Sequence, residues 1–313
     1  MSASLPVLLV LHVVADEHLA QLAQHFEVIY APDAAQAAAA IAQQGARVHT
    51  VLTIGAIGLS AAQMDAMPNL RMVGALGAGY ENIDVPYAKA RGIAVSNGAG
   101  TNDNCVADHA FGLVIAAVRG FGRLDKLTRQ GVWRTEIPYP PQVSGKRLGI
   151  LGLGTIGQKI ARRAQAFDMP VGYHNRQPKA GVEHAYFDSL QALAEWADVL
   201  VVATPGGAGT KHLVNAQILQ ALGQGGYVVN IARGSVVDTA ALAAALREGR
   251  LAGAGLDVYE SEPRPPAELL ALDNVVLTPH VAGWSPEAVQ ATVDLFLRNA
   301  LCHAAGKPLV TPV

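Results

Sequence analysis

Residues 146–167 read KRLGILGLGTIGQKIARRAQAF, and this stretch decides the fold. The apolar run Leu148–Leu151 predicts a buried strand. It passes into Gly152-Leu-Gly154-Thr155-Ile156-Gly157, after which a helix begins. Strand, glycine turn and helix in that order form a cradle for a pyrophosphate. The first glycine permits the tight turn. The second lets the backbone approach the anion, and the third lets helix and strand pack closely. Free N–H groups at the helix N-terminus, from Thr155 onward, then hold the negative charge. The glycines alone would equally suit a structural bend. The flanking strand and helix favour dinucleotide binding.

The next strand ends in Val171-Gly-Tyr-His-Asn175-Arg176. An acid at this place would bind a ribose 2′-hydroxyl and mark an NAD site. An arginine instead offers charge-assisted, often bidentate hydrogen bonds to a 2′-phosphate. Asn175-Arg176 therefore predicts NADPH, with NADH the weaker alternative. The competing reading of Arg176 is a solvated surface residue.

Outward from this motif, short apolar runs bounded by Gly, Pro or Asp alternate with Ala-rich helical stretches. One series of expected strands is 7–11, 28–30, 51–54, 72–75 and 93–95. A second is 147–151, 171–173, 199–203, 227–231 and 275–278. Continuous apolar strands alternating with helices predict parallel sheets covered on both faces. The fold class is thus α/β, with two doubly wound (Rossmann or flavodoxin-like) domains and a ligand cleft expected between them. The run 103–119 predicts a long helix, capped by Asn102 and Asp103, that leads from the first domain into the second. A last helix over 286–305, with Pro near its start, is expected to return to the first domain. Residues 1–100 with 285–313 are assigned to a substrate domain and 101–284 to a dinucleotide-binding domain.

Bulk properties narrow the function. The chain has 313 residues, 51% of them apolar, enough for two sizeable cores. A net charge of -2 provides no field to recruit nucleic acid or an anionic membrane. Two cysteines, Cys105 and Cys302, cannot build a disulfide framework, which points to a cytoplasmic setting. The ten histidines show no metal-ligand spacing, so no metal is expected. No stretch reaches the roughly 20 uninterrupted apolar residues of a membrane helix.

Three residues far apart in sequence share one local setting. Arg233 lies in VVNIARGSVVD, Glu262 in GLDVYESEP and His280 at the end of NVVLTPH. Each stands just past an apolar run, where strand ends of an open sheet bind ligands. Taken singly, each suits a surface or structural role. Their common context favours a catalytic group of cation, carboxylate and imidazole.

With GLGTIG, NIARGSVVD, GAGLDVYESEP and LTPHVAG in place, the chain resembles the D-2-hydroxyacid dehydrogenases over nearly its whole length. It is most like the NADPH-dependent glyoxylate/hydroxypyruvate reductases. The resemblance implies a small 2-keto acid reduced to the D-2-hydroxy acid. It implies Arg233 as clamp for the substrate carboxylate, His280 as proton donor and Glu262 as the group that keeps His280 charged. Gly77, Ala78 and Gly79 match the substrate loop. Asp257 matches the residue that contacts the nicotinamide carboxamide, and Thr204-Pro205 the turn along the cofactor. Trp284 is expected as an apolar wall over the substrate side chain. Trp133 and Arg134 fall in a segment that reaches the partner's cleft in such reductases, which implies a homodimer. Two departures bear on substrate choice: Trp284 itself, and the glycine-rich run 206–210. The alternatives are a non-catalytic nucleotide-sensing corepressor, disfavoured by the lack of a long tail, and a phosphite or D-lactate type of dehydrogenase.

Overall fold

The computed structural model describes residues 5–313. The chain divides into two compact units. One runs up to Asn102 and resumes at Trp284–Val313; the other is Asp103–Gly283.

Among the described residues the first unit carries five parallel strands: β1 (Val7–Val10), β2 (Glu27–Tyr30), β3 (Val48–Ile54), β4 (Met72–Leu76) and β5 (Ala94–Ser96). Their order is β2-β1-β3-β4-β5. The strand order runs outward in opposite directions from β1 and β3, which makes their carboxyl ends a topological switch point. Alternation along the strands divides the core. Leu9 and Val51 pack with Met64 and Met67 on one face. Leu8, Val10 and Leu52 pack with Leu22, Val293 and Phe296 on the other. The last two belong to the helix Pro286–Ala304, whose first turn is capped by Ser285 accepting from the Ala288 N–H. A Cβ at Gly74 would lie 2.5 Å from the Phe296 ring, so this helix sits directly on β4. Burying Phe296 contributes about 2–3 kcal/mol.

The second unit holds β6 (Leu148–Leu151), β7 (Val171–His174), β8 (Ala185–Tyr186), β9 (Val199–Val202), β10 (Tyr227–Asn230), β11 (Gly253–Leu256) and β12 (Val275–Leu277). Among the described residues these form one parallel sheet in the order β12-β11-β10-β9-β6-β7-β8. The strand order reverses between β6 and β9. The glycine turn after β6 and the Thr204-Pro205 turn after β9 therefore meet at the switch point.

The helix Asp103–Arg119 packs on β10, β11 and the helix Thr155–Gln165. A Cβ at Gly255 would stand 3.0 Å from the Cβ of Leu113. This explains a strand missed in the sequence: GAGL lacks the branched residues that mark strands because a helix lies close against it. The two-residue edge strand β8 also carries no apolar run to reveal it. β3 starts at Val48, three residues before the expected 51, and the other strand ends differ by about one residue: β5 is Ala94–Ser96 where 93–95 was expected, and β9 and β12 end at Val202 and Leu277. The expected cap from Asn102 is corrected. Its Oδ1 is buried and accepts no hydrogen bond among the described residues.

Candidate active site

The glycine turn is built as its spacing predicts. Gly152 has φ +99°, a conformation that disfavours any side chain. A Cβ there would also meet Ala203 O and Thr204 N at 2.8 Å, so the turn presses on the start of Thr204-Pro205. A Cβ at Gly157 would collide with Gly152 O. At Gly154 it would meet nothing within 4 Å among the described residues. Gly154 thus leaves open backbone at the N-cap of the helix Thr155–Gln165, and no side chain caps that helix. The uncapped N–H groups of Thr155, Ile156 and Gly157 supply donors and a positive helix end. This donor set fits a pyrophosphate. Asn175 Oδ1 accepts from the Leu153 N–H at 2.8 Å, so its side chain stitches the turn to the end of β7. Arg176 is exposed and has no hydrogen bond or ion pair among the described residues.

The catalytic candidates Arg233, Glu262 and His280 all lie in the second unit, beyond β10, β11 and β12. His280 Nδ1 is 3.0 Å from Glu262 Oε2. Glu262 Oε1 accepts from the Tyr259 N–H at 3.0 Å. His280 is about half exposed and its carboxylate partner one-third. The hydrogen bond to Glu262 raises the His280 pKa against burial and the charge of Arg233, both of which lower it. Burial pushes the Glu262 carboxyl up. Hydrogen bonds from His280 and the Tyr259 amide, with the charges of His280 and Arg233, outweigh that and hold it below its usual range. Arg233 is therefore within electrostatic reach of both partners. Its turn is closed by Asn230, whose Nδ2 donates to Arg233 O at 3.1 Å and whose Oδ1 accepts from Ala232 N at 3.0 Å. Gly234 comes next because a Cβ there would collide with the carbonyl carbon of Tyr259. The stem of Arg233 lies on Gly206, where a Cβ would come within 2.7 Å of Arg233 Cγ. Part of the glycine richness of 206–210 is thus a packing requirement.

His280 has φ +55°, in the left-handed region that non-glycine residues rarely occupy. Such a conformation costs of order 1–3 kcal/mol and persists only when its surroundings impose it. Asp257 imposes it. Its backbone oxygen accepts from the His280 N–H at 2.8 Å. Its carboxylate, 1% exposed, accepts from Val281 N at 2.9 Å and Ala282 N at 2.8 Å. Burial raises the Asp257 pKa, but hydrogen bonds from His109, Thr278 and the two amides bring it below the ordinary value. Tyr259 braces the same turn, its hydroxyl donating to Thr278 O at 2.7 Å. Burial raises that hydroxyl to about 12, so it stays protonated as a donor.

In the first unit, the loop Gly77-Ala78-Gly79 comes after β4. Gly77 has φ +88°. A Cβ at Gly98 would meet Gly77 N at 2.6 Å, and one at Gly55 would meet Gly79 C at 2.6 Å. Asn97 Nδ2 donates to Ala78 O at 2.8 Å. Trp284, also in this unit, is 72% exposed, which rules out ordinary core packing as its role. Among the described residues no cluster of three or more His, Cys, Asp or Glu could hold a metal ion.

The sequence reading missed Asn230, Tyr259, Thr278 and His109. Asn230 carried a signal, an amide inside the apolar run of β10. The others had none, because their partners lie far along the chain.

Residues 111–282 match the family described as D-isomer specific 2-hydroxyacid dehydrogenase, NAD binding domain. The chain is 40% identical over 274 residues to hydroxyphenylpyruvate reductase of Plectranthus scutellarioides, covering 87% of this chain and 88% of that protein. It is 41% identical over 267 residues to glyoxylate/hydroxypyruvate reductase A of Arabidopsis thaliana, covering 85% of each. A solved structure, the NADPH-dependent glyoxylate/hydroxypyruvate reductase of Sinorhizobium meliloti in complex with NADP and malonate, superposes with a TM-score of 0.90 at 39% identity. That match covers 99% of this chain and 97% of the other.

Proposed function

Because this chain belongs to the D-isomer-specific 2-hydroxyacid dehydrogenase family, we propose that it reduces a small 2-keto acid of the glyoxylate or hydroxypyruvate type, preferring NADPH. The observation that carries the reading is the His280–Glu262 pair at 3.0 Å beside Arg233, in the unit that holds the glycine turn. When bound, the nicotinamide supplies the hydride. Arg233 binds the substrate carboxylate with a planar fork that suits it better than a lysine would. Arg233 also draws electron density from the adjacent carbonyl. His280, kept charged by Glu262, donates its proton to the carbonyl oxygen as negative charge grows there. In the reverse direction the neutral imidazole accepts that proton. The amides of Gly77, Ala78 and Gly79 are assigned to the substrate carboxylate, and Trp284 to the distal end of the substrate. Asp257 is assigned to the nicotinamide carboxamide. A panel of 2-keto acids assayed with NADPH and NADH tests this reading. An absence of turnover with every acid would favour a nucleotide-sensing binding protein.

The cofactor preference rests on Arg176, exposed at the end of β7 with no acid beside it. Replacing Arg176 with Ala removes a charge-assisted contact worth about 1.5–3 kcal/mol. The expected result is a loss of at least ~10-fold in kcat/KM with NADPH and little change with NADH. Equal losses with both cofactors, or an NADH preference in the wild type, would refute the assignment.

A homodimer is part of the same proposal. Phe121, Trp133 and Tyr139, all exposed on the second unit between residues 121 and 139, are the side chains offered to a partner. Light scattering should return twice 32.6 kDa; a monomeric mass would refute it. The setting we propose is cytoplasmic, supported by the free thiols of Cys105 and Cys302.

A further inference from the structure

We infer that His109 is a positioning residue for His280, acting through the Thr278 hydroxyl and the Asp257 carboxylate. The inference rests on the reading of His280 as proton donor. His109 sits on the helix Asp103–Arg119, 169 residues before Thr278 in the chain.

Proton counting sets the direction of the link. The Thr278 hydroxyl has one proton to donate. It lies 2.6 Å from Asp257 Oδ1, and an ionised carboxylate only accepts. The proton is therefore committed to Asp257. His109 Nε2, 2.9 Å from the same hydroxyl oxygen, must then be the donor. The Nε2–H tautomer is thus selected, or both ring nitrogens are protonated. The same nitrogen stands 3.4 Å from Asp257 Oδ1. His109 so feeds a chain of donors into a buried carboxylate. That carboxylate holds the amides of Val281 and Ala282, and the Asp257 carbonyl holds the amide of His280.

Tyr259 braces the turn at Thr278 O, but beyond His280 the amides of Val281 and Ala282 are held by the Asp257 carboxylate. His280 must point its ring at Glu262 and expose the other nitrogen to the reacting oxygen. A buried carboxylate that loses a donor is destabilised, and its remaining hydrogen bonds rearrange. A shift of about 1 Å in an acid–base group costs roughly 10²-fold in rate. His109 touches none of the reacting atoms, so its effect is exerted through geometry. The charged groups that face His280 are Glu262, Arg233 and Asp257. A loosened turn weakens the hydrogen bond to Glu262 first.

The test compares the full chain with His109→Ala and His109→Gln. Three quantities are read: kcat/KM for the keto acid across pH, cofactor Kd by fluorescence, and amide exchange over residues 280–282. In His109→Ala, kcat/KM should fall ~10- to 100-fold. The basic limb of its profile should move to lower pH and exchange at Val281 and Ala282 should quicken, with cofactor Kd changing far less than kcat/KM because the turn after β6 holds the dinucleotide. The amide nitrogen of Gln can donate to the Thr278 hydroxyl, so His109→Gln should recover most of the rate and the profile. Wild-type rate and profile in His109→Ala would overturn the inference, as would a Gln variant no better than Ala. If the Ala variant does not fold, Thr278→Val cuts the same link at nearly constant volume and should show the same changes. An unmoved profile there overturns the inference. His280→Gln separates the two ideas. Retained turnover in that variant overturns the proton-donor reading and this inference together. Lost turnover there, with an unmoved His109→Ala profile, overturns only the inference.

Discussion

His280→Gln should lower kcat for keto-acid reduction by ~10²- to 10⁴-fold while leaving cofactor binding unchanged. Glutamine keeps roughly the size of the imidazole and can still hydrogen-bond to Glu262, but it cannot give up a proton. Binding of the dinucleotide depends on the turn after β6 and should not register the change. The wild-type pH profile supplies the matching sign. The His280 pKa is raised by the hydrogen bond to Glu262. The acid form is therefore complete below the ordinary histidine range and persists to higher pH than in an unpaired histidine. Reduction should hold at low pH and decline only as pH rises through the raised value. Oxidation of the hydroxy acid should show the opposite limb, since it needs the neutral imidazole. In Glu262→Gln the basic limb of reduction should move to lower pH, since the partner that raises the His280 pKa is lost while burial and the Arg233 charge still lower it. Near-normal turnover in His280→Gln would remove this residue from the mechanism.

Arg233→Ala should lower kcat/KM for the keto acid by at least ~10²-fold, the equivalent of about 3 kcal/mol for two charge-assisted hydrogen bonds to a carboxylate. Arg233→Lys should recover only part, since the charge returns without the fork. The Arg233 side chain adds one hydrogen bond to the turn that carries it, from Nη1 to Ala232 O at 2.6 Å, but other contacts hold that turn as well. Asn230 closes it through backbone atoms, and Gly234 fits against Tyr259 whatever stands at 233. The melting temperature should therefore change little. If Arg233→Ala binds and turns over substrate normally but melts several degrees lower, Arg233 is a structural residue and the clamp is lost.

Much of the site was legible because its residues interrupt strong local patterns. Gly152, Gly154 and Gly157 break an apolar run at the spacing a phosphate turn requires, and each has the close approach or open backbone that spacing implied. Arg233, Glu262 and His280 each stand just past an apolar run, and parallel strands deliver the residues beyond their carboxyl ends to a common sheet edge. Asn175 was only half legible. Its position was read, but its oxygen serves Leu153 N, a partner 22 residues earlier that no local pattern names. Asp257 was read as a cofactor contact, yet its carboxylate is mostly engaged in bending the His280 turn.

The sequence by itself determined the periodicity of the elements, the glycine turn and the chemical types gathered at the strand ends. These arise from covalent and short-range rules: side-chain alternation, helix spacing, and the conformations that only glycine takes easily. Only the tertiary structure decided that β11 is a strand, that Gly206 makes room for Arg233, and that His109 feeds Thr278 and Asp257. Each of these depends on which segments become neighbours. A buried polar atom must find a partner, but strand order and helix placement choose which one, and that choice belongs to the packed chain as a whole.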